Sequence, residues 1–293
     1  VHIDNYIQLK YGHVMQVGPD VTRVLAANPK PLTFRGTNSY IIGRETVSIL
    51  DPGPDMAEHI DAVMEAVNGR KVAFIFVTHS HVDHSGAAEI LSTLTGAEVL
   101  GYGALPAIKP NDCVENDYHL DFQPHRCLSD GEEVHFGGMT IEAIHTPGHF
   151  PNHLCYALKG TDILFSGDHV LGWASTVVAP PIGKMCAYIE SLEKLNARDE
   201  KVFLPGHGPI ISKPKEVLRK LIDHRYEREN QVLACLSAGM TEIEDIVHKL
   251  YTEIDEGLFV PACKSVEAHI LHLKKRGLLS NRSHETAARI ANA

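Results

Sequence analysis

The chain has 293 residues, 44% of them apolar and 22% charged, and a formal net charge of −10. That composition excludes an intrinsically disordered chain and supplies core enough for one large domain and a small one, while no apolar stretch reaches the roughly 18 residues of a membrane span. The negative balance argues against a broad nucleic-acid-binding surface but leaves a local groove open.

Residues 1 to 212 read as short strands alternating with helices. Strands are predicted at 39–42, 46–50, 72–78, 98–101, 139–144, 154–158, 162–166 and 201–204, and helices at 56–67, 85–94 and 188–195. Gly160 fits a turn between two of the strands, and Gly137-Gly138 precedes another. Many strands with helices between them imply a layered body. After Pro214 the pattern changes. A helical period runs over 216–236 without Gly or Pro until Gly239. Thr241-x-x-Glu244 is a capping box for a second helix reaching 250. A third opens at Cys263 or Ser265, carries Val266, Ile270 and Leu273 as its apolar stripe, and stops at Lys274-Lys275-Arg276-Gly277. With Leu278-Leu279-Ser280-Asn281-Arg282 behind it, this reads as a winged-helix-like module. The division is therefore 1–213 and 214–293. The module is an interface, such as a homodimer contact or a substrate lid, or else a nucleic-acid contact.

The six cysteines (113, 127, 155, 186, 235, 263) form no Cys-x-x-Cys pair. They read as small buried side chains or inert thiols of a reducing compartment rather than a zinc module or a disulfide framework; Cys155 falls in a strand and packs there. No cleavable signal pattern is visible and Val1 need not be the native start, so a cytoplasmic location and no membrane partner are the expectation.

The chemistry concentrates in Thr78-His79-Ser80-His81-Val82-Asp83-His84, at the end of an apolar run. Imidazole and carboxylate suit a borderline-soft divalent ion such as zinc. One strand end cannot complete such a site, and later strand ends offer His149, Asp168 and His207, each beside a glycine that lets backbone approach closely. Asp51, in Leu50-Asp51-Pro52-Gly53, either holds a ligand histidine by a hydrogen bond or is a plain turn residue. His153 and His169 lie near the site in sequence, as proton donors to a leaving group or as packed core histidines.

The run His79-Ser80-His81-Val82-Asp83-His84 resembles the His-x-His-x-Asp-His motif of the metallo-β-lactamase-fold hydrolases, and the resemblance extends over residues 32–211. It implies an α+β fold, an αββα sandwich of two mixed sheets with helices outside. It also implies two zinc ions, with manganese or iron as alternatives. By family assignment His79, His81 and His149 resemble the ligands of the first ion, Asp83, His84 and His207 those of the second, and Asp168 the carboxylate bridging both. A metal-bridging hydroxide is then the nucleophile, with Asp83 and Asp168 as catalytic carboxylates. Related oxygen-reducing di-iron proteins have a glutamate where this chain has His81, which favours hydrolysis.

Thr33-Phe34-x-Gly36-Thr37-Asn38-Ser39-Tyr40, His149-Phe150-Pro151-Asn152-His153 and the segment 179–192, together with the helical module, resemble the glyoxalase II-related branch. Within it the mitochondrial metallo-β-lactamase-like endoribonucleases and their bacterial relatives share the C-terminal winged helix, and fungal relatives act as thioesterases. Two substrates follow. A small acyl or thioester substrate suits the acidic charge and the lack of an obvious general acid, because a thiolate leaves readily. Single-stranded RNA needs a proton donor, which puts weight on His153 or His169, and contacts from Lys184, Tyr188, Trp173 and Lys274 to Arg276. Trp173 and Met185 also suit a pocket wall or domain packing. The short stretch between Asp168 and His207 leaves no room for an inserted RNA-processing domain. A third alternative is a nucleic-acid- or protein-binding module with a supporting metal domain. β-Lactam hydrolysis is not expected, since the second-metal pair points to the glyoxalase-like branch.

Overall fold

The computed structural model describes residue 6 and residues 8–105 and 118–279. Runs rich in β-branched and aromatic residues become strands, and among the described residues these build two sheets. In the first, β1 (Val14–Gly18), β2 (Val21–Leu25), β3 (Asn38–Gly43) and β4 (Thr46–Leu50) are antiparallel. Beyond them β5 (Lys71–Phe76), β6 (Glu98–Gly101) and β7 (Arg126–Cys127) continue parallel to β4. The second sheet has β8 (Glu133–Phe136), β9 (Met139–His145), β10 (Leu154–Leu158), β11 (Ile163–Gly167) and β12 (Val202–Pro205) side by side, with β11 and β12 parallel.

Side chains alternate across each strand, and this sorts the core into layers. Tyr40, Ile42 and Leu50 face the second sheet and meet Tyr156, Phe165 and Leu204 between the sheets. Ile41 and Ile49 face outward onto α1 (Ala57–Val67) and α3 (Ala88–Thr95) through Val63 and Leu91. On the far side Ile144, Leu164 and Phe203 pack against α4 (Met185–Asn196) and the start of α5 (Pro214–Ser237) through Tyr188, Leu192 and Leu218. The result is helix, sheet, sheet, helix. Covered on both faces, β3, β10 and β11 are buried at every residue, and β10 accordingly reads as an unbroken apolar run.

The second half of α5 turns its buried face elsewhere. Val232 and Cys235 pack with Ile246 of α6 (Ile243–Leu250) and Val266 and Ile270 of α7 (Phe259–Lys275). One long helix thus belongs to two cores, and Ala268 of α7 reaches back into the α4 layer.

Several predicted boundaries change. The predicted helix 85–94 is two pieces, α2 (Val82–Ser85) and α3, separated at Gly86-Ala87. The Thr241-x-x-Glu244 capping box does not form: Glu242 is the residue at the cap, and the Thr241 hydroxyl donates to its side chain at 3.1 Å. The third helix starts at Phe259, ahead of Cys263, because a 3-10 turn over Glu256–Leu258 capped by Asp255 feeds directly into it. Pro261 sits in its first turn, where a missing N–H costs nothing. Strands β1, β2, β7 and β8 were not predicted. Three of them, β1, β7 and β8, are short or half-exposed at sheet margins and carry a weak apolar signal. The described cysteines are free thiols. Cys113 and the 280–282 part of the winged-helix reading lie outside the described residues. Among the described residues no helix is long and apolar enough to cross a membrane.

Candidate metal centre

The site is built where strands of both sheets end on one edge. Asp51 follows β4, the histidine run follows β5, His149 lies between β9 and β10, Asp168 follows β11 and His207 follows β12. Because His81 precedes α2, Asp83 and His84 fall on a single helical turn that points them back to the strand ends. Two clusters form. His79, His81, His149 and Asp168 bring one donor atom each within 4.8 Å of one another, and so do Asp83, His84 and His207. Asp168 joins them, with Oδ1 3.4 Å from His84 Nε2 and Oδ2 3.3 Å from His207 Nε2. His79, His84, Asp168 and His207 are buried.

The hydrogen bonds behind the imidazoles settle which nitrogen faces inward. His149 Nδ1 donates to the Val177 carbonyl at 2.7 Å, and His207 Nδ1 to the Gly36 carbonyl at 3.1 Å. A carbonyl only accepts, so Nδ1 carries a proton in each ring and Nε2 is the nitrogen turned to the site. His84 Nδ1 lies 2.8 Å from Asp51 Oδ2. The Thr78 hydroxyl donates to the same carboxylate at 3.0 Å and therefore accepts from His79 Nδ1, also at 3.0 Å. Asp51 thus orients two ligand histidines, one directly and one through Thr78. It has φ +50°, a conformation that an L side chain rarely adopts. Thr37 does the same for Asp83: its hydroxyl donates to Oδ2 at 2.9 Å and accepts from Asn28 Nδ2 at 2.9 Å.

The donor set fits a pair of divalent cations. His79 Nε2 lies 2.7 Å from His81 Nδ1, His149 Nε2 lies 3.3 Å from that same atom, and the Nε2 atoms of His84 and His207 are 3.2 Å apart. Bare lone pairs this close repel unless a proton or a metal ion sits among them. Burial presses the His207 imidazole down, but Asp168 and Asp83 reverse this and lift it to about 10. Burial likewise opposes charging of His84, and Asp168, Asp83 and Asp51 outweigh it. The carboxylates thus demand positive charge at the points where a metal would stand. In the other cluster burial, together with neighbouring histidines, holds His79 down and His81 at about 3, so both stay neutral, as ligands must be.

Gly206 makes this packing feasible. A Cβ there would lie 2.5 Å from Asp168 Oδ1 and 2.6 Å from His84 Cε1. Gly148, at φ +142°, lets the loop carrying His149 rest on the backbone of Tyr188, where a Cβ would come within 2.2 Å of Cα.

His153 and His169 stand behind the ligands rather than in the opening, and both are fully buried. His153 Nε2 accepts from the Asp168 amide at 3.2 Å, and its Nδ1 faces the Thr146 hydroxyl at 2.9 Å. Burial pushes the His169 imidazole down to about 3. Tyr188 is equally buried, between His169 and Arg225, so it cannot stack on RNA as the RNA reading required. Met185 is also core. Arg276 pairs with Glu229 of α5, and Lys275 Nζ contacts Cys186 Sγ at 3.2 Å, so part of the basic cluster is engaged between helices.

The clusters open into a cavity of about 570 Å³. Its walls include Leu32, Leu171 and Trp173 from the sandwich and Ile254, Leu258 and Pro261 from the C-terminal module. Trp173 stacks on Phe34 with ring centroids 4.8 Å apart. The substrate-lid reading of the C-terminal module named none of the residues that line the cavity, and Thr37 and the Val177 and Gly36 carbonyls were not singled out as site groups from the sequence. Carbonyls carry no residue-type signal, and the others reveal themselves only when the chain folds.

Residues 32–207 match the family described as "Metallo-beta-lactamase superfamily", and residues 243–286 match "Beta-lactamase associated winged helix domain". The chain is 31% identical over 272 residues to a Caenorhabditis elegans protein named "Beta-lactamase-like protein 2 homolog", covering 91% of this chain and 88% of that one. It is 28% identical over 269 residues to an "Atrochrysone carboxyl ACP thioesterase" of Aspergillus fumigatus, covering 85% and 80%. A "Beta-lactamase domain protein from Burkholderia ambifaria" shares the fold, with a TM-score of 0.75 at 21% identity over 93% of this chain and 91% of that one.

Proposed function

The chain belongs to the metallo-beta-lactamase superfamily, and from that premise we propose that it is a dinuclear zinc hydrolase of the glyoxalase II-related branch acting on acyl thioesters. The family and the site geometry together support a metal-dependent hydrolase with a two-cluster metal site. The observation that carries the thioester assignment is the cavity. It is a half-open cleft that reaches both clusters, with Leu32, Leu171 and Trp173 on one wall and Ile254, Leu258 and Pro261 on the other. Such a space suits an acyl group and not a polynucleotide track. The thioesterase named among the relatives supports the same choice, and the buried Tyr188 and paired Arg276 weaken the RNA reading.

We assign His79, His81, His149 and Asp168 to one ion and Asp83, His84 and His207 to the other, with Asp168 shared. An imidazole-rich set with few carboxylates favours zinc over manganese. When bound, the ions would acidify a water and stabilise negative charge on the substrate carbonyl oxygen. The chain's own residues do the rest. Asp51, Thr78, Val177 and Gly36 fix the tautomers, Thr37 aims Asp83, and the His153 ring holds the Asp168 backbone. In the reaction the acyl–sulfur bond breaks, water gives its hydroxyl to the acyl carbon, and its proton ends on the thiol. A thiol ionises near pH 8.5, so the leaving group needs no strong acid. His169, kept neutral by burial, is consistent with a site that supplies none.

The test is a side-by-side assay of zinc-loaded protein on N-acetylcysteamine thioesters and on short single-stranded RNA. Thioester hydrolysis that disappears in Asp83→Ala is the expected result. RNA cleavage without thioester turnover would overturn the substrate assignment.

A further inference from the structure

Arg225 is an expensive residue where it stands. It lies on α5, is 3% exposed, and lines the cavity that opens on the metal centre. Among the described residues it has no carboxylate within ion-pair reach. Its Nη2 donates to the Thr176 carbonyl, its guanidinium lies 5.0 Å from the Tyr188 ring centroid, and its Nε is buried without a partner. An isolated buried cation is destabilising unless something compensates it, and a carbonyl and a ring face compensate only part of a permanent charge. His224, next to it, lines the same cavity and has a buried Nδ1 that also lacks a partner among the described residues.

The position of Arg225 is tied to the chemistry. The Thr176 hydroxyl donates to the Asp168 carbonyl at 2.6 Å, and the neighbouring Val177 carbonyl holds His149. One short segment therefore fixes Arg225, Asp168 and His149 relative to one another. A group bound at Arg225 would be held in register with the metal centre.

Resting on the thioester reading above, we propose that Arg225, with His224 beside it, is a specificity-determining site for an anionic group, a carboxylate carried by the acyl part of the substrate. A guanidinium offers paired N–H donors that match a carboxylate, and one buried positive charge calls for one negative charge. The surrounding walls (Leu171, Trp173, Leu258) would take the aliphatic spacer. A phosphodiester is also a monoanion, but a cavity of about 570 Å³, walled on one side by residues of the C-terminal helices, suits a single small group. Burial and the charges of Arg225 and Arg228 press the His224 imidazole down, so it joins the site as a neutral hydrogen-bonding group and leaves the charge to Arg225.

The experiment compares hexanoyl and 5-carboxypentanoyl thioesters of N-acetylcysteamine on the zinc-loaded protein, with Arg225→Gln and Arg225→Lys. Binding of the matching non-hydrolysable hexyl and 5-carboxypentyl thioethers is followed by the emission of Trp173, the chain's single tryptophan. The expected result is a preference of about tenfold or more for the carboxylated thioester in kcat/KM, expressed mainly in KM. Arg225→Gln should bring the ratio near one and weaken the carboxylated thioether about 10- to 100-fold, and Arg225→Lys should keep part of both. Equal turnover of the two thioesters by the wild type, or carboxylated thioether affinity that Arg225→Gln leaves unchanged, would overturn the proposal. If neither thioester is hydrolysed, the thioester reading fails, and the thioether measurement still decides whether Arg225 selects a carboxylate. Cleavage of short RNA that is lost in Arg225→Gln, without selective thioether binding, would assign the site to a phosphodiester and also overturn it.

Discussion

Asp51 Oδ2 lies 2.8 Å from His84 Nδ1, and the same oxygen takes the Thr78 hydroxyl at 3.0 Å. One buried carboxylate thus sets the orientation of His84 directly and of His79 through Thr78. Of the two readings its sequence allowed, the Asp-Pro-Gly segment turns out to be both a turn and a support for the metal centre. Asp51→Asn keeps the shape but puts an amide where a full carboxylate stood. Metal affinity should fall about 10- to 100-fold, with activity recovering at high zinc. Competition with a chromophoric chelator measures this, and an unchanged affinity would confine Asp51 to the turn.

Gly206 is where backbone and ligands meet most closely. In Gly206→Ala the added methyl must displace Asp168 or His84, since it would lie 2.5 and 2.6 Å from their atoms. Hydrolysis should drop by about 100-fold, because small misplacements of reacting groups carry that cost. The far-ultraviolet circular dichroism should remain that of the wild type. Full activity in a folded variant would contradict the packing described.

His59 makes a separate prediction about acid stability. It is buried on α1, and its Nε2 is 2.8 Å from the Ser39 hydroxyl. Burial pushes its imidazole down to about 4, against a backbone hydrogen bond at Pro52 that raises it. In the unfolded chain it takes up a proton near pH 6.5. Between those two values the unfolded state binds a proton that the folded state does not. Its stabilising contribution is therefore complete above pH 6.5, is lost as pH falls to about 4, and changes little below that. The window is worth on the order of 3 kcal/mol. Urea midpoints at pH 4.5 and 7.5 should differ less in His59→Gln than in the wild type, and equal differences would remove His59 as a cause.

The seven residues that gather in the two clusters were legible because metal chemistry restricts residue type. Few arrangements other than a site put three imidazoles and a carboxylate in one short run, and the later candidates each stood at a strand end beside glycine. The sandwich was legible where both faces of a strand are buried, as in β3 and β10, and illegible at β1 and β8, whose exposed positions dilute the apolar signal. The capping box failed because Thr241 spends its hydroxyl on Glu242. Arg225 could not be picked out. On a helix with many charged residues it looks like one more solvated cation, and only folding buries it beside Thr176.

The central claim is that hydrolysis needs both clusters occupied, and metal titration tests it most directly. Apoprotein would receive zinc in measured steps, with thioester hydrolysis and bound metal followed together, beside Asp83→Ala. We expect activity to rise until two zinc ions are bound per chain, and Asp83→Ala to hold one ion and lose nearly all turnover. Full activity at one ion per chain, or an active Asp83→Ala enzyme, would contradict the dinuclear account.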